Sequence, residues 1–180
     1  MMTLIAFGTE FGSTEKVALE IASVLRKNGH RAEVMDLREH RDIDLERYGL
    51  VVIGSGIVCG SWSKEALRFL EMNSMVLREK RLAMFACCGD LMLDPSRKDE
   101  YRRRYLQDVA DRYGLRPVRV GLFGGVLDFS KHSYLVKGIL DGGRDSSRGL
   151  ERRGIDPKAP YDLRDWNAIR KWASDLEGVL

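Results

Sequence analysis

Residues 3–14 read Thr3-Leu4-Ile5-Ala6-Phe7-Gly8-Thr9-Glu10-Phe11-Gly12-Ser13-Thr14. A short apolar run predicts a strand, and a Gly/Ser/Thr turn leads from it straight into a helical pattern. The turn offers hydroxyls from Thr9, Ser13 and Thr14 beside the unbonded N–H groups of a helix start. Such an end carries about half a positive charge and binds phosphate readily. The turn has no Lys and no G-x-x-x-x-G-K, which excludes a nucleotide-hydrolysing P-loop, and no G-x-G-x-x-G supports a dinucleotide site. A turn built from hydroxyls suits a phosphomonoester.

Outward from this turn, strand and helix patterns alternate. Residues 13–28 predict a helix with Val17, Ile21, Val24 and Leu25 at helical spacing, closed by Asn28-Gly29. Residues 31–36 predict a short strand, and a charged connector follows at 37–48. Leu50-Val51-Val52-Ile53 is a continuous apolar strand of the kind buried on both faces. Residues 54–62 predict a glycine-rich loop, 63–72 a helix, 81–87 a strand and 88–96 a loop. A long helix is expected over 97–113, with Tyr105, Leu106, Val109, Ala110 and Tyr113 facing the core. A strand is expected over 117–123, and a last helix over 165–178 with Trp166, Ile169, Trp172, Ala173 and Leu176 inward. Residues 126–162 are too long for an ordinary connection. They predict a functional excursion with one short helix, an apolar cluster from Tyr134 to Leu140 and a mobile Gly-rich part from Gly142 to Gly154. A solvated loop is the alternative.

The chain has 180 residues, the size of one domain of roughly 100–200 residues. No apolar stretch approaches the roughly 20 residues that span a bilayer, and Thr9 and Glu10 end the first apolar run too early for a secretory leader. A cytosolic location is the expectation. Cys59, Cys87 and Cys88, with the scattered His30, His40 and His132, have no zinc spacing, so no metal is expected. The formal net charge of +3 is mild. Residues 97–119 hold eight Lys or Arg against four Asp or Glu. That stretch is either a solvated helix face or a contact for an anionic partner, such as a membrane surface. Nucleic acid is not expected, because no basic stripe interleaves with aromatics.

Five alternating strands imply an α/β doubly wound parallel sheet, which binds ligands beyond its C-terminal strand ends. Loops 9–14, 54–62, 87–95 and 124–128 meet there, and three of the four are rich in Gly and small residues.

Thr9-Glu10-Phe11-Gly12-Ser13-Thr14 resembles the phosphate loop of the flavodoxin-like family, and the order of elements matches that family over nearly the whole chain. Within it, the chain is most similar to the menaquinone-dependent protoporphyrinogen oxidase group. The closer match rests on Val52-Ile53-Gly54-Ser55-Gly56-Ile57 with Gly60 following, on Gly124-Gly125-Val126-Leu127, and on the long insertion before Asp165-Trp166. The chain departs from the group in its more polar insertion and in Cys59, where an aromatic residue is expected. The resemblance implies a single flavodoxin-like domain over 1–180 with strand order 2-1-3-4-5, helices on both faces and an insertion after strand five. It implies FMN as cofactor, and an oxidoreductase that passes electrons from a small reduced molecule to a quinone-type acceptor, with peripheral membrane contact as one possibility. The rival reading is an electron shuttle between redox proteins, although such shuttles tend to be acidic.

On that reading Thr9, Gly12, Ser13 and Thr14 hold the phosphate, with backbone N–H groups of Glu10 and Phe11. Ser13 acting only as a helix cap is the plainer alternative. Ser55, Gly56, Ile57, Val58, Cys59 and Gly60 meet one edge of the flavin ring; Cys87, Cys88, Gly89, Asp90 and Gly125 approach from the other side. Trp62 either stacks on the ring or packs in the core at the start of the next helix. No nucleophile–base constellation is visible, as befits chemistry carried by a cofactor. Cys59 and Cys88 read as small hydrophobes, and His132 as a surface residue.

Overall fold

A computed structural model describes residues 2–40, 42–128, 156 and 159–180. Its centre is a parallel sheet of β1 (Met2–Gly8), β2 (Arg31–Asp36), β3 (Leu50–Val58), β5 (Arg81–Cys88) and β6 (Arg119–Gly124), in the order β2-β1-β3-β5-β6. This is the expected order, with the short β4 (Ser61–Trp62) added antiparallel to the end of β3.

Alternation along the strands builds a core on each face. Leu4, Ala6, Val51, Ile53, Leu82, Met84 and Ala86 pack on one side, against α2 (Lys64–Glu79), α4 (Lys98–Arg102) and α5 (Asp108–Arg112). Ile5, Phe7, Leu50, Val52, Ala83 and Phe85 pack on the other, against α1 (Ser13–Lys27) and α6 (Trp166–Ser174). Each fully buried Leu, Ile or Phe contributes about 1.5–3 kcal/mol, which explains why the central strands read as unbroken apolar runs. Trp172 of α6 meets Phe85 and Phe123 edge to face, and the three ring centres lie 5.6–6.2 Å apart.

Several elements differ from expectation. The 54–62 segment is not all loop: β3 continues to Val58 and turns back into β4. The helix expected over 63–72 runs on to Glu79, because Leu77 anchors its last turn while Met72 and Met75 stay exposed. Within 88–96, a short helix α3 (Asp90–Leu93) and a 3-10 turn form. The helix expected over 97–113 is interrupted by a π turn over Arg103–Gln107 that links α4 to α5. The last helix tightens into 3-10 geometry over Asp175–Val179.

The excursion after the fifth long strand is pinned at its base. β7 (Val126–Leu127) pairs antiparallel with β8 (Tyr161–Asp162), and Leu163 N–H bonds the Gly125 carbonyl at 2.9 Å. Between these strands, the expected short helix, the Tyr134–Leu140 cluster, His132 and the Gly142–Gly154 stretch lie outside the described residues.

Candidate functional site

Four segments meet at the C-terminal edge of the sheet and enclose a cleft. They are the turn after β1, the β3–β4 hairpin, Gly89 and Asp90 after β5, and residues 125–127 after β6. The turn after β1 is held by its own side chain, since Thr9 Oγ1 accepts from Gly12 N–H at 2.9 Å. Gly12 sits at φ 82°, a left-handed conformation that costs a residue with a β-carbon about 1–2 kcal/mol. It is also the residue that opens α1, and it brings no side chain to cap the helix. The Ser13-as-cap alternative is therefore not what forms: Ser13 is already the first helical residue and lines the cleft. The first-turn N–H groups of α1 have no intrahelical acceptor. Thr14 Oγ1 is buried with no oxygen or nitrogen partner, beside Gly56 and the Cys87 thiol. Gly12 and Thr14 do not line the cleft, and Thr14 is fully buried beneath the uncapped helix start, whose free N–H groups fit a phosphomonoester.

The hairpin wall is a two-residue turn. Ile57 pairs with Trp62 and Val58 with Ser61, leaving Cys59 and Gly60 to turn at φ 49° and 73°. A type I′ hairpin turn demands positive φ at both positions, and Gly meets that at no cost. Cys59 meets it under strain, which places a strained residue on the cleft surface. Gly56, Ile57, Val58, Cys59 and Gly60 all line this wall.

Not every expected residue faces the cleft. Glu10, Phe11, Cys87, Gly89, Asp90 and Gly125 do. Ser55 is fully buried and braces the hairpin, donating to the Gly56 carbonyl and accepting from Ser63 N–H, each at 2.9 Å. Trp62 does not border the cleft. Strand alternation turns Ser61 outward and Trp62 inward, and the indole Nε1 donates to the Tyr105 carbonyl at 2.6 Å. Its place is the core, not a stacking surface. Cys88 points to the opposite face from Cys87 and packs in the α2 core. Burial pushes both thiols up to about 12, so both are neutral and neither is an activated nucleophile. Among the described residues no group of three His, Cys, Asp or Glu could hold a metal.

Three features lay beyond sequence reasoning. Val126 and Leu127 complete the wall next to Gly125; their signal in the sequence is the Gly124-Gly125-Val126-Leu127 string, in which Gly125 alone is an expected site residue. Arg164 has a nearly buried side chain, pairs twice with Asp162 (Nη2 to Oδ2 at 2.5 Å and Nε to Oδ1 at 2.7 Å), and its guanidinium lies over the Trp166 ring, 4.7 Å from the centre. Its Nη1 reaches the Ser13 carbonyl at 3.5 Å, while the hydrogen bonds from Nε and Nη2 hold the Asp162 carboxyl below the usual carboxylate range. It thus brings positive charge beside the first turn of α1 from 151 positions away in sequence, which no local motif could reveal. The third is the Tyr105 hydroxyl, which donates to Asp90 Oδ2 at 2.6 Å.

The family model for the flavodoxin domain matches residues 4–142. The protoporphyrinogen IX dehydrogenase [quinone] of Escherichia coli (strain K12) is 25% identical over 176 residues, covering 98% of this chain and 94% of that protein. Among solved structures, oxidised flavodoxin 1 from Bacillus cereus superposes with a TM-score of 0.58 at 16% identity, covering 100% of this chain and 99% of that one. A flavoprotein in complex with FMN from Lactobacillus acidophilus has a TM-score of 0.50 at 17% identity, covering 67% of this chain and 92% of that one.

Proposed function

The chain belongs to the flavodoxin domain family, and from that premise we propose that it is an FMN-dependent oxidoreductase. In this reading it takes electrons from a small reduced molecule of the protoporphyrinogen type and delivers them to a quinone-type acceptor. The observation that carries the cofactor assignment is the uncapped start of α1 with the orphan Thr14 hydroxyl at its base. Thr9, Gly12, Ser13 and Thr14 would hold the phosphate, and Arg164 would add positive charge near it. The hairpin from Gly56 to Gly60 and the Gly89–Asp90 segment would flank the ring. FMN, when bound, accepts an electron pair and releases electrons singly or together. The protein's part is to hold it, to set the field at its edge and to exclude water.

The substrate and acceptor classes follow the name of the E. coli relative, which the match covers over 94% of its length at 25% identity. Two observations favour an enzyme over a shuttle between proteins. The chain is basic, at net +3, and it carries an insertion whose base, Val126–Leu127, lines the cleft. In this reading 1–180 is one FMN-binding domain, and the insertion over 126–162 borders the flavin and serves the substrate or quinone. Arg102, Arg103 and Arg104 are exposed where α4 passes into the π turn, a surface suited to an anionic substrate group or a membrane surface. Among the described residues no helix is long and apolar enough to cross a membrane.

The test is an anaerobic assay of FMN-loaded protein with protoporphyrinogen and a menaquinone analogue. Turnover dependent on both supports the enzyme. Reduction and reoxidation only by redox proteins, with neither small molecule turned over, supports the shuttle.

A further inference from the structure

We infer that Tyr105 is a positioning residue for the proposed flavin site, tying the two walls of the cleft together through its carbonyl and its hydroxyl. The inference rests on the FMN reading above.

Tyr105 lies in the π turn Arg103–Gln107, where Asp108 N–H bonds the Arg103 carbonyl five residues back. Such turns are rare, and inside helices they concentrate at functional sites. Here the widened turn serves two contacts at once. The Tyr105 carbonyl accepts from Trp62 Nε1 at 2.6 Å, and Trp62 is paired with Ile57 across the hairpin wall. The Tyr105 hydroxyl donates to Asp90 Oδ2, also at 2.6 Å, and Asp90 belongs to the facing wall. One residue therefore joins the hairpin to the segment after β5, the two parts that would flank the ring.

The ring itself is fixed. Tyr105 is 2% exposed and stacks parallel on Tyr101, with centres 6.0 Å apart and planes 6° apart. The Arg104 guanidinium lies 5.4 Å from its centre and abuts the hairpin turn, where a β-carbon at Gly60 would stand 2.6 Å from Arg104 Nη2. Packing alone would be met by Phe. What the hydroxyl adds is a hydrogen bond to a carboxylate on the cleft surface, and such bonds to charged groups are worth about 1.5–3 kcal/mol. Burial and the Asp90 carboxylate raise the phenol above its ordinary range, so it stays a donor at any pH the protein meets. The consequence concerns charge: Tyr105 holds the Asp90 carboxylate in place and offsets part of its field at the ring edge.

The experiment is Tyr105→Phe, with Asp90→Ala and the double variant. In Tyr105→Phe the FMN dissociation constant should rise by about 3- to 10-fold, and the flavin midpoint potential should move negative as the carboxylate loses its donor. In the Asp90→Ala background, Tyr105→Phe should change neither quantity. Hydrogen exchange over 89–93 in flavin-free protein should rise in Tyr105→Phe while the central strands keep wild-type protection, which shows that the variant folds. Wild-type affinity and potential in Tyr105→Phe, or fully additive effects in the double variant, would overturn the inference. Failure of the wild-type protein to take up FMN counts against the cofactor reading, and the brace is then decided by the exchange measurement alone.

Discussion

Thr14 Oγ1 faces Gly56 so closely that a β-carbon at position 56 would stand 2.9 Å from it. The start of α1 and the hairpin wall are thus fitted to each other, and the fit depends on Gly56 having no side chain. Gly56→Ala should push the Thr14 hydroxyl aside and weaken FMN binding with little loss of fold. Calorimetric titration checks this against thermal unfolding of the flavin-free protein.

The orphan state of Thr14 sets up a trade of stability against binding. Thr14→Val keeps the volume and removes a buried hydroxyl with no oxygen or nitrogen partner. The flavin-free variant should gain about 1 kcal/mol in urea unfolding, while FMN affinity falls by about 10-fold or more, as expected when a bond to a charged acceptor is lost. Thr14→Glu should abolish binding, because it sets a carboxylate against the phosphate. A Thr14→Val protein that binds FMN as tightly as wild type would place the phosphate elsewhere.

The hairpin turn gives a backbone prediction. Cys59 carries a positive φ that Gly adopts freely, so Cys59→Gly should be neutral or stabilising. Gly60→Ala should cost about 1–2 kcal/mol for its left-handed conformation. Its β-carbon would also displace the Arg104 guanidinium. Paired chemical denaturation curves with unchanged m-values measure both.

How much of this was legible in the sequence depends on the element. The central strands were legible because burial on both faces demands unbroken apolar runs such as Leu50-Val51-Val52-Ile53. The phosphate turn was legible because its hydroxyls and Gly12 are contiguous. The second half of α2 was not, because Met72 and Met75 point to solvent and blur the helical period. The end of β3 was hidden by Gly54-Ser55-Gly56, which reads as a loop, although the sheet supplies the pairing that overrides local preference. Trp62, an aromatic residue in a glycine-rich loop, suits a stacking platform equally well. Only the inward turn of β4 and the acceptor at Tyr105 decide its place. Arg164 and Tyr105 reach the site from distant elements, and no spacing rule encodes that.

Alkaline pH should unfold the protein early. Burial raises the Cys87 and Cys88 thiols from 9.0 to about 12, and Tyr48 from 10.0 to about 12, so the folded state holds protons that the unfolded chain releases first. Stability is then complete below about pH 9 and falls as pH rises toward 12. Urea unfolding at pH 8 and pH 10.5 should show the decline, and Cys87→Ala with Cys88→Ala should flatten it. An equally steep decline in the double variant would exclude the thiols as its source.

Two flavins that differ only in the phosphate decide whether the start of α1 holds the phosphate of FMN. Flavin-free protein is titrated with FMN and, separately, with riboflavin, which has the same ring and no phosphate. FMN should bind saturably and one-to-one with a shifted visible spectrum, and riboflavin more weakly by at least about 100-fold, the worth of a few charge-assisted hydrogen bonds. Equal affinity for the two flavins, or no uptake of FMN at tens of micromolar, would contradict a phosphate site at the start of α1.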